Sequence, residues 1–158
     1  MQIYVILNNI RSAHNVGSVF RTADGAGVSK IFITGYTPAP TDRFGREQKE
    51  ILKTSLGATH TVPYEVIEDI QELIFRLKKE GVEIIAVEQT KEAIEYQTFK
   101  PKSNVAFIFG NEIEGVEESV LKESDKHIML PMSGMKESLN VSVCAGIILF
   151  HFRFQTST

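Results

Sequence analysis

A single cysteine in 158 residues, Cys144, excludes an intramolecular disulfide. It sits in an apolar segment near the C-terminus and reads as a buried structural thiol. The four histidines, His14, His60, His127 and His151, fall into no zinc or nucleophile spacing, so no metal is expected. No apolar run approaches the roughly 20 residues that a membrane span requires, and the apolar stretch in MQIYVILNNIR is too short for a secretion signal. The expectation is a soluble, cytoplasmic protein. Net positive charge is also missing: the chain carries −3 with a pI of about 5.8, which gives no global sign of a nucleic-acid partner. The deficit is uneven. Residues 1–60 hold seven Lys or Arg against four acids, a local +3 that leaves −6 for the rest, so any basic surface is N-terminal. No internal repeat, low-complexity tract or linker is found, and the length suits one domain, 1–158, with one core.

What is present is alternation. Strand-like runs occur at Ile3 to Leu7, Lys30 to Thr34, Thr59 to Tyr64, Glu83 to Glu88, Val105 to Phe109 and His127 to Leu130. Helix-like segments cover Val16 to Gly25, Arg46 to Leu56, Ile67 to Glu80, Val116 to Glu123, and Ser138 onward. In the third of these, Ile67, Ile70, Leu73, Ile74 and Leu77 repeat at three and four residues, leaving Gln71, Glu72, Lys78 and Lys79 for water. The run VAFIF is apolar throughout, as an interior parallel strand covered on both faces requires. Together these predict an α/β fold, a mostly parallel sheet flanked by helices.

Three stretches carry chemistry. The first, Asn8 to Ala23, is a polar loop opening a helix: Asn15 suits an N-cap, Gly17 leaves the first turn open, and Arg21 stands nearly two turns in. A helix start with a nearby arginine is a phosphate site or simply a capped helix beside a surface cation. The second, FIFGNEIEGV from Phe107 to Val116, runs from a buried strand into a glycine-bracketed acidic loop, at the strand end where open α/β sheets collect ligands. Glu112 has the better claim to a site; Glu114, Glu117 and Glu118 read as solvated acids. The third, Ile128 to Phe154, is a short strand ended by Pro131, a loop through Gly134, then Ser138 and Asn140 at the start of an apolar helix. Its small residues Ser142, Cys144, Ala145 and Gly146 would admit a neighbouring backbone closely. Ser138 is a ligand group or a plain N-cap. The loop from Gly35 to Arg46, with Tyr36, Phe44, Arg43 and Arg46, either stacks on bases and holds phosphates or only connects.

In this order and near these separations the three stretches resemble the SpoU/TrmH family of RNA ribose methyltransferases, of the SPOUT superfamily, from Ile3 to about Phe150. The resemblance implies S-adenosylmethionine as cofactor, 2′-O-methylation of an RNA ribose, a C-terminal trefoil knot and a homodimer with the knotted face in its interface. It assigns Asn15, Arg21, Glu112, Ser138 and Asn140 to catalysis. Backbone around Val87, Gly110, Leu130, Met132 and Leu139, with Ser138, would hold the cofactor; Arg11, Arg43 and Arg46 would meet RNA. Ile113 departs from the family pattern, since many relatives have glycine there. The N-terminal RNA-binding domain of larger members is missing as well, which favours a tRNA loop over a ribosomal site. Two rivals share the fold: a base methyltransferase of guanine N1 type, lacking the Asn15 and Arg21 pairing, and a non-catalytic RNA-binding module. A flavodoxin-like nucleotide-binding domain ranks last, because no Gly-rich fingerprint follows the first strand.

Overall fold

The computed structural model describes residues 1–155. In chain order these form β1 (Ile3–Asn8), α1 (Ala13–Ala26), β2 (Lys30–Thr34), α2 (Lys49–Ser55), α3 (Ala58–Thr61), β3 (Tyr64–Val66) and α4 (Ile70–Lys79). Then follow β4 (Glu83–Val87), β5 (Ile94–Glu95), a 3₁₀ turn (Tyr96–Thr98), β6 (Val105–Phe109), α5 (Glu118–Glu123), β7 (Lys126–Met129) and α6 (Val141–Gln155). The strands make one sheet in the order β3-β2-β1-β6-β4-β7-β5, and every pairing in it is parallel. The direction of strand order reverses between β1 and β6, where Leu7 pairs with Phe109. All carboxyl ends therefore open on one edge, and the crevice of such a sheet lies at that reversal.

Alternation along the strands divides the core in two. Val5, Leu7, Phe107 and Phe109 point to the face covered by α1, α2 and α6, whereas Ile6, Ala106 and Ile108 point to the face covered by α4 and α5. Phe152 of α6 stacks on Phe107, with centroids 4.9 Å apart, and meets Phe99 edge-on. On α4, Ile70, Leu73, Ile74 and Leu77 are buried, as the periodicity requires.

Several boundaries differ from the sequence reading. Thr59 to Tyr64 is not one strand: residues 58–61 form a helical turn, and β3 begins only at Tyr64, beside Ile31. Helix α4 starts at Ile70 because Asp69 caps it, accepting from the Gln71 N–H at 2.8 Å. Helices α2 and α5 begin at Lys49 and Glu118, later than expected, and α1 begins earlier, at Ala13, under a Ser12 cap. Helix α6 starts at Val141; its first turn is held by Asn140, whose Oδ1 accepts from the Ser142 N–H at 2.9 Å, so Ser138 is not the cap.

Gly17 does not leave an open turn. A Cβ built there would run into Thr54 Oγ1 and the Ile51 carbonyl, so α1 and α2 cross with almost no side chain between them. At Gly146, by contrast, a Cβ would meet Thr22 at an ordinary 3.7 Å. Gly17→Ala must therefore force the helices apart. The expected cost is about 2 kcal/mol or more, read as a fall of roughly 5 °C in melting temperature; Gly146→Ala should leave it nearly unchanged.

Candidate active site

At the carboxyl edge, the loops after β4, β6 and β7 enclose a cavity of about 500 Å³. Val87, Gly110, Leu130, Met132, Ser138 and Leu139 all line it, although they come from three separate segments. Its lining mixes apolar side chains, Val87, Leu130, Met132 and Leu139 among them, with polar ones such as Gln89, Asn111, Ser138 and Asn140, as small-molecule sites do. Gly110 is required by its own loop: a Cβ there would meet the Gly115 backbone, because Asn111 and Gly115 exchange backbone hydrogen bonds of 3.1 and 2.9 Å across a tight turn. Cys144 also reaches the cavity wall, only half-buried, and burial followed by the nearby Glu88 charge pushes its thiol up to about 12. It is inert as a nucleophile at neutral pH.

Beside the cavity, residues from all three stretches meet through one buried amide. Asn15 is 7 % exposed; its Oδ1 accepts from Asn140 Nδ2 at 3.2 Å and its Nδ2 donates to Glu112 Oε1 at 3.4 Å. Asn15 lies in the first turn of α1, with its own N–H donating to the Ser12 hydroxyl, so it is not the cap that the sequence suggests. The freed side chain joins the chain of contacts instead.

Glu112 grips the entry to α1. Its two oxygens accept from the backbone N–H groups of Arg11 at 3.0 Å and Ser12 at 3.1 Å. Burial alone would raise its pKa; the hydrogen bonds from Arg11, Ser12, its own N–H and Asn15 outweigh that, and the carboxyl is held below its ordinary 4.5. A depressed folded-state pKa contributes stability above the unfolded value and loses it as pH falls through the folded one. The stability gap between wild type and Glu112→Gln should thus be constant near neutrality and shrink below about pH 4.5, as urea titrations across pH would show.

Other groups escaped the sequence reading. Asn111 saturates its side chain: Oδ1 accepts from the N–H groups of Ile113 and Glu114, both 2.8 Å, while Nδ2 donates to the Asn9 carbonyl at 3.0 Å and to the Tyr36 hydroxyl at 2.9 Å. An Asn just before an acidic loop closed by glycine is an Asx-turn signal that could have marked it. Glu88 accepts from the Val116 N–H at 2.9 Å and ties the loop after β6 to β4. Glu117 is more than a solvated acid, since it accepts from Asn9 Nδ2 at 2.8 Å.

The basic residues are spread out. Arg21 is exposed on α1, lines no described cavity, and its guanidinium has no partner among the described residues. Arg11 borders a second cavity beside the first. Arg43 and Arg46 flank the exposed Phe44 ring at 4.8 and 5.1 Å, but Arg46 is also paired with Asp42 at 2.8 Å. Among the described residues there is no cluster of three metal-ligating side chains and no helix long and apolar enough to cross a membrane.

Residues 2–150 match the model of the SpoU rRNA Methylase family. The chain belongs to that family. Within it, the chain is 33 % identical over 97 % of its length to the 23S rRNA (guanosine-2′-O-)-methyltransferase of Neisseria meningitidis, and 29 % identical over 97 % to the tRNA (guanosine(18)-2′-O)-methyltransferase of Aquifex aeolicus. It spans 58 % and 69 % of those two proteins. Among solved structures, the AdoMet-bound rRNA methyltransferase of Sinorhizobium meliloti superposes with a TM-score of 0.87 at 28 % identity, covering 99 % of this chain and 57 % of that one. The A. aeolicus tRNA-modifying enzyme superposes at 0.85 and 27 %, covering 98 % and 75 %. These SpoU structures share the fold described above.

Proposed function

We propose that this chain transfers a methyl group from S-adenosylmethionine to a ribose 2′-hydroxyl of RNA. The observation that carries the reading is the Glu112–Asn15–Asn140 junction, which joins residues up to 125 positions apart on the rim of a cavity formed by three strand ends. The named relatives act on guanosine in 23S rRNA and in tRNA, which supports structured RNA as the substrate class.

The cavity fits the cofactor in volume and in its apolar wall of Val87, Leu130, Met132 and Leu139, which would hold it together with Gly110 and Ser138. When bound, the cofactor supplies a sulfonium methyl whose leaving group is already activated. What remains for the protein is alignment and removal of one proton from the ribose hydroxyl. A guanidinium is always protonated and is no base by itself. Arg21 instead binds the phosphate next to the target ribose and polarises the 2′-hydroxyl, whose proton passes to that phosphate and on to water as the methyl group is transferred, while Asn15 fixes its orientation. Glu112 acts through others: its oxygens accept from the Arg11 and Ser12 N–H groups and from Asn15, so it is a positioning residue that locks the loop after β1 to the loop after β6.

The active unit in this reading is a homodimer. Helix α6 exposes Val143, Ile147, Phe150 and Phe154 along one stripe, the last 66 % exposed. Thr22 and Gly25 of α1 lie against Gly146 and Phe150 of α6, so the neighbouring Arg21 stands beside this stripe. A second copy covering the stripe brings its cavity to Arg21, which explains why Arg21 is remote from the cavity of its own chain. The same reading includes the C-terminal trefoil knot, supported by the interleaving of β6 and β7 among earlier strands. RNA docks on the Phe44 loop and Arg11, with Arg43 the stronger phosphate contact because Asp42 already neutralises Arg46.

Calorimetry with S-adenosylmethionine tests the cofactor site. Saturable binding is expected for the wild type and loss of it for Leu139→Trp, which fills the cavity; no binding by the wild type would overturn the reading.

A further inference from the structure

The second cavity, about 430 Å³, is lined by Arg11, Tyr36, Asn111, Ile113 and Glu114. It shares Asn111, Ile113 and Glu114 with the cavity assigned to the cofactor, so the two adjoin and a nucleotide whose ribose reaches the first has room for its base in the second. We infer that this cavity reads the base of the target nucleotide, and that Tyr36 and Glu114 select guanine; the inference rests on the RNA methyltransferase reading above.

Tyr36 is built as a platform. The residue is 58 % exposed, yet it is fixed at both ends: the hydroxyl accepts from Asn111 Nδ2 at 2.9 Å, and the backbone N–H donates to Asn9 Oδ1 at 3.2 Å. Asn111 cannot swing away, since every hydrogen-bonding position of its side chain is occupied. An exposed aromatic ring held rigidly beside a polar cavity loses little entropy on stacking, and single-stranded bases are recognised by such stacking together with contacts to their Watson–Crick edges.

Glu114 supplies the edge contact. Its backbone N–H is anchored on Asn111 Oδ1, whereas its carboxylate is exposed and has no partner among the described residues. An ionised carboxylate only accepts hydrogen bonds, through two oxygens side by side. Guanine presents two adjacent donors, N1–H and the 2-amino group, which match that pair. Adenine and cytosine each set one donor beside an acceptor, and uracil sets its single N–H between two carbonyls, so each would place a lone pair against the carboxylate. The same charge repels phosphate, which keeps the backbone away from this wall and leaves it to Arg11, which also lines the cavity. Ile113, 82 % exposed at the rim shared by both cavities, gives the base an apolar edge to cover.

Two readouts test the inference. In the first, ¹⁵N-labelled protein with S-adenosylhomocysteine is titrated with millimolar GMP, IMP and AMP. Amide shifts at Tyr36, Ile113 and Glu114 should be strongest with GMP, weaker with IMP, which lacks the 2-amino group, and weakest with AMP. Equal responses to GMP and AMP, or none to any of the three, would overturn it. In the second, methyl transfer to unmodified RNA should yield 2′-O-methylguanosine. With S-adenosylmethionine held at saturation, Glu114→Gln and Glu114→Ala should lower kcat/KM for that RNA roughly 10- to 100-fold. Ribose methylation of another nucleoside, or full activity in Glu114→Ala, would reject guanine selection and leave the methyltransferase reading standing. Absence of any methyl transfer would instead bring down that reading and the inference with it.

Discussion

Asn15→Ala should reduce methyl transfer at least roughly 100-fold, a loss typical of removing one preorganised polar group from an active site, while the protein stays folded. The buried amide of Asn15 has no substitute: Asn140 Nδ2 loses its acceptor and Glu112 one of its donors. Leaving such groups without partners costs about 1–3 kcal/mol of stability, a few degrees in melting temperature. The isosteric Asn15→Asp distinguishes orientation from bulk. It keeps the volume but sets a second carboxylate 3.4 Å from Glu112 Oε1, where the amide now donates. Its activity should fall at least as far as that of Asn15→Ala, and raising the pH should not restore it. Activity of Asn15→Asp near the wild-type level would show that the junction is only a structural contact.

Arg21→Ala should be equally damaging, and Arg21→Lys nearly so, because an ammonium cannot reproduce the planar fork that holds a phosphate while polarising a neighbouring hydroxyl. Full turnover by Arg21→Lys would remove that role. The position of Arg21 yields a sharper experiment. Neither Arg21→Ala nor the cavity-filling Leu139→Trp should be active alone. In an equimolar mixture allowed to exchange subunits, half of the dimers are mixed, and each mixed dimer pairs one intact cavity with the intact Arg21 of the other chain. Activity should recover to about a quarter of the wild-type value. No recovery despite demonstrated exchange would place the working Arg21 in the same chain as the cavity it serves, or remove it from the site.

Much of the architecture was legible because parallel strands declare themselves. VAFIF is buried at all five positions, and the apolar repeat of α4 is the face that packs. The short elements were hidden for the same physical reason. Residues 58–61 make a single helical turn within a segment of strand-like composition, and β5 has only two residues, too few for any period to show. Asn15 was given the wrong local role. Capping preference favours Asn at a helix start, but Ser12 takes the cap and releases the Asn15 side chain toward Glu112 and Asn140. The crossing at Gly17 and the saturated Asn111 depend on segments distant in sequence, α2 in one case and the loops holding Asn9 and Tyr36 in the other. Single-sequence pattern has no access to such partners.

Methyl transfer from labelled S-adenosylmethionine to unmodified tRNA and rRNA, followed by alkaline hydrolysis, puts the central claim to its most direct test. Alkali cleaves RNA through the free 2′-hydroxyl, so a ribose-methylated residue shields the phosphodiester on its 3′ side. The account predicts label in alkali-stable dinucleotides and, after complete enzymatic digestion, in a 2′-O-methyl nucleoside from one RNA class. Label in mononucleotides carrying a methylated base would contradict it, as would no label from protein that demonstrably binds the cofactor.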